Sequence, residues 1–182
     1  MATQFQAIEA THKEFIERQQ MFFVSTAASE GRVNLSPKGM DSFRVLGDNR
    51  IAWLNLTGSG NETAAHLLDN NRMTVMFCSF DKQPLILRLY GEAKTVHENH
   101  PDWKDLSGLF PSSTAARQVY DMSVDMVQTS CGFGVPRYEY SDQRPTLEKW
   151  ADKQSRDDVK QYWDKKNRVS LDGLPTGIEG LF

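Results

Sequence analysis

Apolar residues change period along this chain, and the changes divide it into parts. Phe5, Ile8, His12, Phe15 and Ile16 recur at roughly helical spacing, with Glu9, Lys13, Glu14 and Glu17 mostly opposite, which predicts an opening amphipathic helix within residues 1–20. From Met21 the period shortens. "MFFVSTA", "RVNLS", "SFRVL" and "RIAWLNLT" are rich in β-branched and aromatic residues and are separated by "ASEG", "PKGMD" and "GDN", so they predict antiparallel strands joined by hairpin turns. "NETAAHLLDNN" then reads as a short helix with Asn61 as N-cap and Glu62 suited to the helix dipole.

Strand patterning resumes in "MTVMFCSF" and "LILRLYGEAKTV", and Pro101 marks the start of a short helix in "HPDWKDLSGLF". In "RQVYDMSVDMVQTS", Tyr120, Met122, Val124 and Met126 alternate with Asp121, Ser123 and Asp125, as in a half-buried strand. Beyond an irregular "SCGFGVPRYEY", the segments "PTLEKWADK" and "RDDVKQYWDKK" look helical and "NRVSLDGLPTGIEGLF" forms a polar tail. Six or seven antiparallel strands with few internal helices predict a mainly β fold with flanking helices, a small barrel rather than an alternating α/β sheet.

Composition narrows the function classes. At 182 residues with 39% hydrophobic and 25% charged, the chain suits one domain. A net charge of −3 and the lack of a basic stripe argue against nucleic acid and against an anionic membrane surface. Charges recur every few residues in the first twenty, leaving no secretory core, and no apolar run approaches spanning length, so a cytoplasmic protein is expected. Cys78 and Cys131 are too few for a disulfide framework, and His12, His66, His97 and His100 show no convincing ligand spacing, so no metal is expected.

"LTGSGNETAAHLL" carries the clearest candidate chemistry. A strand, a glycine turn and a helix N-terminus present backbone N–H groups to an anion. Yet "GSGNET" is neither a P-loop nor a dinucleotide fingerprint, and a tight turn with an asparagine cap explains it equally well. Lys38 follows an extended Ser-Pro, and Arg88 interrupts Leu85, Leu87 and Leu89. An arginine there requires either a counter-anion or a solvated outer face shared with Ile86 and Tyr90.

These segments, from Met21 to Val96, resemble in order and spacing the FMN-binding split-barrel domain of the pyridoxamine 5'-phosphate oxidase-like family. "SCGFGVPRYEY" and "SLDGLP" resemble a branch of it. The resemblance implies an antiparallel split β-barrel over 21–140, with C-terminal helices and tail over 141–182 packed on it. It also implies a homodimer with FMN at the interface. Lys38 falls where the family places its first phosphate-binding arginine; Trp53, Leu54 and Asn55 fall on the strand beside the flavin; and Asn61, Glu62 and Thr63 open the helix, where the Ser59, Asn61 and Thr63 side chains are candidates to hold the phosphate. Arg88, from its place in an apolar strand, is a further candidate cofactor contact. Glu62 and Thr63 replace the family's Ser and Arg, so the Glu62 carboxylate must point away from a bound phosphate. The Trp and Arg-His-Asp-Arg type segment that ends the true oxidases is missing.

No nucleophile, base and orienting group can be assembled from the sequence, which suits chemistry supplied by a flavin. His66 reads as a packing or capping residue. Cys131 is either a small packing residue or, with Arg137, part of a loop lining the substrate pocket. The expectation is an FMN-dependent oxidoreductase acting on a small molecule; the alternative is a non-enzymatic flavin or haem binder on the same barrel.

Overall fold

A computed structural model describes residues 2–182. Met1, the first residue of the N-terminal segment above, lies outside them. Eight strands form one sheet: β1 (Thr3–Phe5), β2 (Met21–Thr26), β3 (Asn34–Gly39), β4 (Phe43–Gly47), β5 (Arg50–Leu56), β6 (Arg72–Cys78), β7 (Ile86–Val96) and β8 (Ala116–Ser130). Their order is β3-β2-β6-β7-β8-β5-β4, with β1 also pairing to β8, and every pairing is antiparallel. The sheet curls into a split barrel. Its interior is filled by Phe22, Val24, Ile51, Trp53, Val75, Phe77, Leu87, Leu89, Tyr120 and Met122.

Helices α1 (Ala10–Glu17), α2 (Glu62–Asp69), α3 (Trp103–Ser107), α4 (Thr146–Ala151) and α5 (Arg156–Lys166) flank the sheet. The opening segment corrects the helical expectation. Phe5 belongs to β1 and pairs with Val127, Ile8 lies in the connection, and α1 begins only at Ala10. Residue Glu9 starts it through a reciprocal cap with His12. The backbone of β1 thus gains ladder bonds from β8 that a helix could not use.

The "PKGMD" turn is also shorter than its sequence suggests. Pro37, Lys38 and Gly39 continue β3, pairing with Phe23, Phe22 and Met21. Proline is tolerated because β3 is an edge strand, where no second neighbour needs its missing N–H. The extension places Lys38 in phase with Asn34 and Ser36.

Two bulges set the faces of β8. Tyr90 pairs with Met126 and Gly91 with Val124, leaving Asp125 unpaired, so the inward set runs Tyr120, Met122, Val124 and then Val127. Met126 is therefore only half-buried rather than fourth in an unbroken alternation. Opposite this bulge, a Cβ on Gly91 would stand 1.9 Å from the Ser123 carbonyl oxygen, so only glycine allows the strands to approach. The second bulge lies between Asn55–Gln118 and Leu56–Ala116, where Arg117 is the residue without a partner.

Candidate functional site

A cavity of about 300 Å³ opens where β3, β5, β8 and the glycine turn converge. Asn34, Ser36 and Lys38 reach it from β3, Asn55 and Leu56 from β5, Gly58 to Asn61 from the turn, Glu62 and Thr63 from α2, and Arg117 and Tyr120 from β8. The antiparallel alternation of β3 supplies one wall. The bulge in β8 aims Arg117 into the other.

Electrostatically the cavity is unusual. Arg117 is 2% exposed, its Nη1 donates to the Asn167 side-chain oxygen at 2.7 Å, and its Nε has no partner. Burial lowers its pKa to about 10. Lys38 is brought down to about 8, first by burial and then by the Arg117 charge. Among the described residues, no carboxylate lies within ion-pair distance of either cation. Uncompensated buried charge is costly, and buried Arg117 beside half-buried Lys38 on one cavity calls for an anion.

Neutral groups complete the lining. Asn61 does not cap α2. Its side-chain oxygen instead accepts from Gln118 Nε2 at 2.5 Å, and its Nδ2 is buried without an acceptor. Gln118 Nε2 also donates to the Tyr120 hydroxyl at 2.7 Å, while Gln118 Oε1 remains unpaired. Burial pushes the Tyr120 phenol up to about 12, so it stays protonated. Asn34 Nδ2 donates to Thr63 Oγ1 at 3.2 Å, and Ser36 Oγ to Asn34 Oδ1 at 3.0 Å, which holds the β3 wall against α2.

Glu62 is at the rim, but its carboxylate accepts from the Leu171 N–H at 3.1 and 3.0 Å. It is turned toward the C-terminal segment. That segment braces the turn from behind: Trp163 Nε1 donates to Thr57 Oγ1 at 2.8 Å, and Asn167 Nδ2 donates to the Gly58 carbonyl at 3.1 Å. Asp172 pairs with Arg32, at the entry to β3, and also accepts from its N–H.

Lys38, Asn55, Ser59, Asn61 and Thr63 thus come together around one cavity. Trp53 is fully buried beneath it, with the Lys38 ammonium 5.4 Å from its ring centre and Tyr120 stacked at 4.4 Å. Leu54 points to the other side of β5, packing with Val96, Leu106, Phe110 and Val119. Arg88 is half-buried on the outer face of β7, where its Nη1 donates to Ser130 Oγ at 3.3 Å, and it does not line the cavity. Cys131 and Arg137 are exposed in a loop held to the β6–β7 turn by Tyr138 N–H on the Phe80 carbonyl. His66 is buried and hydrogen-bonded to Thr26 Oγ1 at 3.1 Å, a packing role.

Arg117 is the principal site residue that patterning along the chain misses. Simple alternation places it out of phase with Tyr120, and only the bulge brings both to the same cavity. An arginine between Ala116 and Val119 was the available signal.

A phosphate monoester fits this donor set: two cations, the free Asn61 amide, hydroxyls and the positive end of α2. Known proteins resemble this chain in sequence and in fold. Residues 8–131 match the pyridoxamine 5'-phosphate oxidase family. The pyridoxamine 5'-phosphate oxidase family protein ustO of Aspergillus flavus is 37% identical, covering 94% of this chain and 76% of its own length. Group A Streptococcus HupZ shares the fold at TM-score 0.51 and 22% identity, over 65% of this chain and 91% of that one. So does a provisionally assigned pyridoxamine 5'-phosphate oxidase of Lactobacillus delbrueckii, at TM-score 0.55 and 14% identity, over 68% and 94%. The chain belongs to the pyridoxamine 5'-phosphate oxidase family.

Proposed function

We propose that the cavity holds the phosphate of FMN and that the protein is a flavin-dependent oxidoreductase acting on a small molecule. The observation that carries this is the pair of half-buried Lys38 and fully buried Arg117, both without a counter-anion among the described residues, beside the unpaired Asn61 Nδ2. FMN, when bound, supplies the electron and hydride chemistry. Lys38 and Arg117 neutralise its phosphate, Asn61 Nδ2 donates to it, and Asn34 and Thr63 fix the walls. Tyr120 lines the site, with the fully buried Trp53 ring packed against it.

The family also suggests a homodimer with the cofactor at the interface, and the charges through the first twenty residues suggest a cytoplasmic setting. Val33 and Leu35, 70% and 63% exposed beside the Asn34 and Ser36 wall, form an apolar stripe that a second copy would cover. No helix among the described residues is long and apolar enough to cross a membrane. A non-enzymatic flavin carrier would use the same cavity, and turnover separates the two. The test is the absorbance spectrum of the purified protein, followed by reduction of bound FMN and its reoxidation by candidate acceptors. Flavin bands and repeated cycling support the oxidoreductase; bound flavin that does not cycle supports the carrier; no flavin binding removes both.

A further inference from the structure

Asn167 is the first residue after α5 and has no exposed surface. Its N–H donates to the Trp163 carbonyl at 2.8 Å, and its own carbonyl accepts from Thr176 Oγ1 at 2.6 Å. Trp163 is itself completely buried and tied to Thr57. The backbone at 167 is therefore fixed and its side chain is enclosed. The side-chain oxygen receives Arg117 Nη1 and its Nδ2 donates to the Gly58 carbonyl.

An amide at this place has a consequence that a carboxylate would not. Aspartate would hold the guanidinium equally well but neutralise it, removing the attraction for a ligand anion. Asparagine accepts the hydrogen bond and leaves the positive charge unmatched. It also ties the charge to the glycine turn, so that the Arg117 guanidinium and the start of α2 keep a fixed relation. Preorganised donors avoid the cost of ordering on binding.

We propose, resting on the phosphate assignment above, that Asn167 is a positioning residue of the anion site. The C-terminal segment then forms the rear of the cavity through Asn167, presenting Arg117 as an unneutralised cation.

The test compares FMN with riboflavin, which lacks only the phosphate, by fluorescence titration. Asn167→Ala is expected to lower the affinity ratio of FMN to riboflavin about tenfold. In an Arg117→Met background the same change should alter that ratio less than twofold, because the residue through which it acts is gone. A purely structural role would weaken both ligands equally, or cost the same in both backgrounds, and either result overturns the proposal. Should Asn167→Ala fail to fold, Asn167→Ser keeps a short acceptor and carries the same cycle. A wild-type protein that binds both ligands equally would instead refute the phosphate assignment itself.

Discussion

The Lys38 ammonium stands 5.4 Å from the centre of the fully buried Trp53 ring, with no carboxylate in ion-pair range among the described residues. The ring face offsets part of the lysine's lost hydration. The remainder appears as a pKa lowered to about 8 by burial and by Arg117. Lys38 is thus still a cation at neutral pH and loses its proton about one pH unit above it.

FMN affinity should therefore depend on pH in a defined way. A phosphate monoester becomes a dianion above about pH 6, and free Lys38 loses its proton near pH 8. Binding is expected to be tightest between these values and to weaken by up to about tenfold per unit above pH 8. Arg117 and Tyr120, at about 10 and about 12, do not titrate in that window, and Glu62 faces Leu171. Titrations from pH 6 to pH 9 check this; Lys38→Met should bind more weakly throughout and lose the alkaline decline.

Stability of the unliganded protein carries the opposite sign. Lys38 is lowered from 10.5 to about 8 on folding, so between those values the unfolded chain binds more protons. The Lys38 contribution to stability then rises with pH across that window. Denaturant unfolding of wild type against Lys38→Met should show the difference shrinking from pH 8 to pH 10.

Arg117→Met separates binding from folding. Loss of one charged partner of a buried phosphate should weaken FMN by about 100-fold. Removal of an unneutralised buried guanidinium should leave the unliganded melting temperature equal or higher. A large loss of stability together with normal FMN binding would reverse the assignment of Arg117. Calorimetric titration and thermal melts measure both.

Glu62→Ala tests the rim. Its carboxylate anchors the Leu171 N–H, so the unliganded protein should lose about 1 kcal/mol. FMN affinity should be equal or improved, since a negative charge leaves the edge of an anion site.

Gly91→Ala tests the barrel apart from the site. A Cβ there meets the Ser123 carbonyl oxygen at 1.9 Å, and separating the strands should cost about 3 kcal/mol. The folded fraction should bind FMN as wild type does.

Much of the barrel was legible because alternation and turn residues act locally: β2, β6 and β7 follow their alternating pattern directly, while β5 is buried continuously from Ile51 to Asn55. What escaped depends on partners distant in sequence. Phe5 is a strand residue only because β8 offers it a ladder, and Pro37 remains in β3 only because that strand is an edge. The resemblance to the family grouped Lys38, Asn55 and Thr63 with the glycine turn. Arg117 could not be placed with them, since a bulge in β8 decides its direction. Asn61 looked like a helix cap, yet Gln118, far along the chain, claims its oxygen and leaves its Nδ2 buried without an acceptor.

Calorimetric titration of the wild-type protein with FMN and with riboflavin tests the central claim most directly, because the two ligands differ only in the phosphate. If the Lys38 and Arg117 cavity is a phosphate seat, FMN binds at least about 100-fold more tightly, and most of that advantage disappears in Arg117→Met. Equal affinities for the two ligands, or an FMN advantage untouched by Arg117→Met, would contradict it.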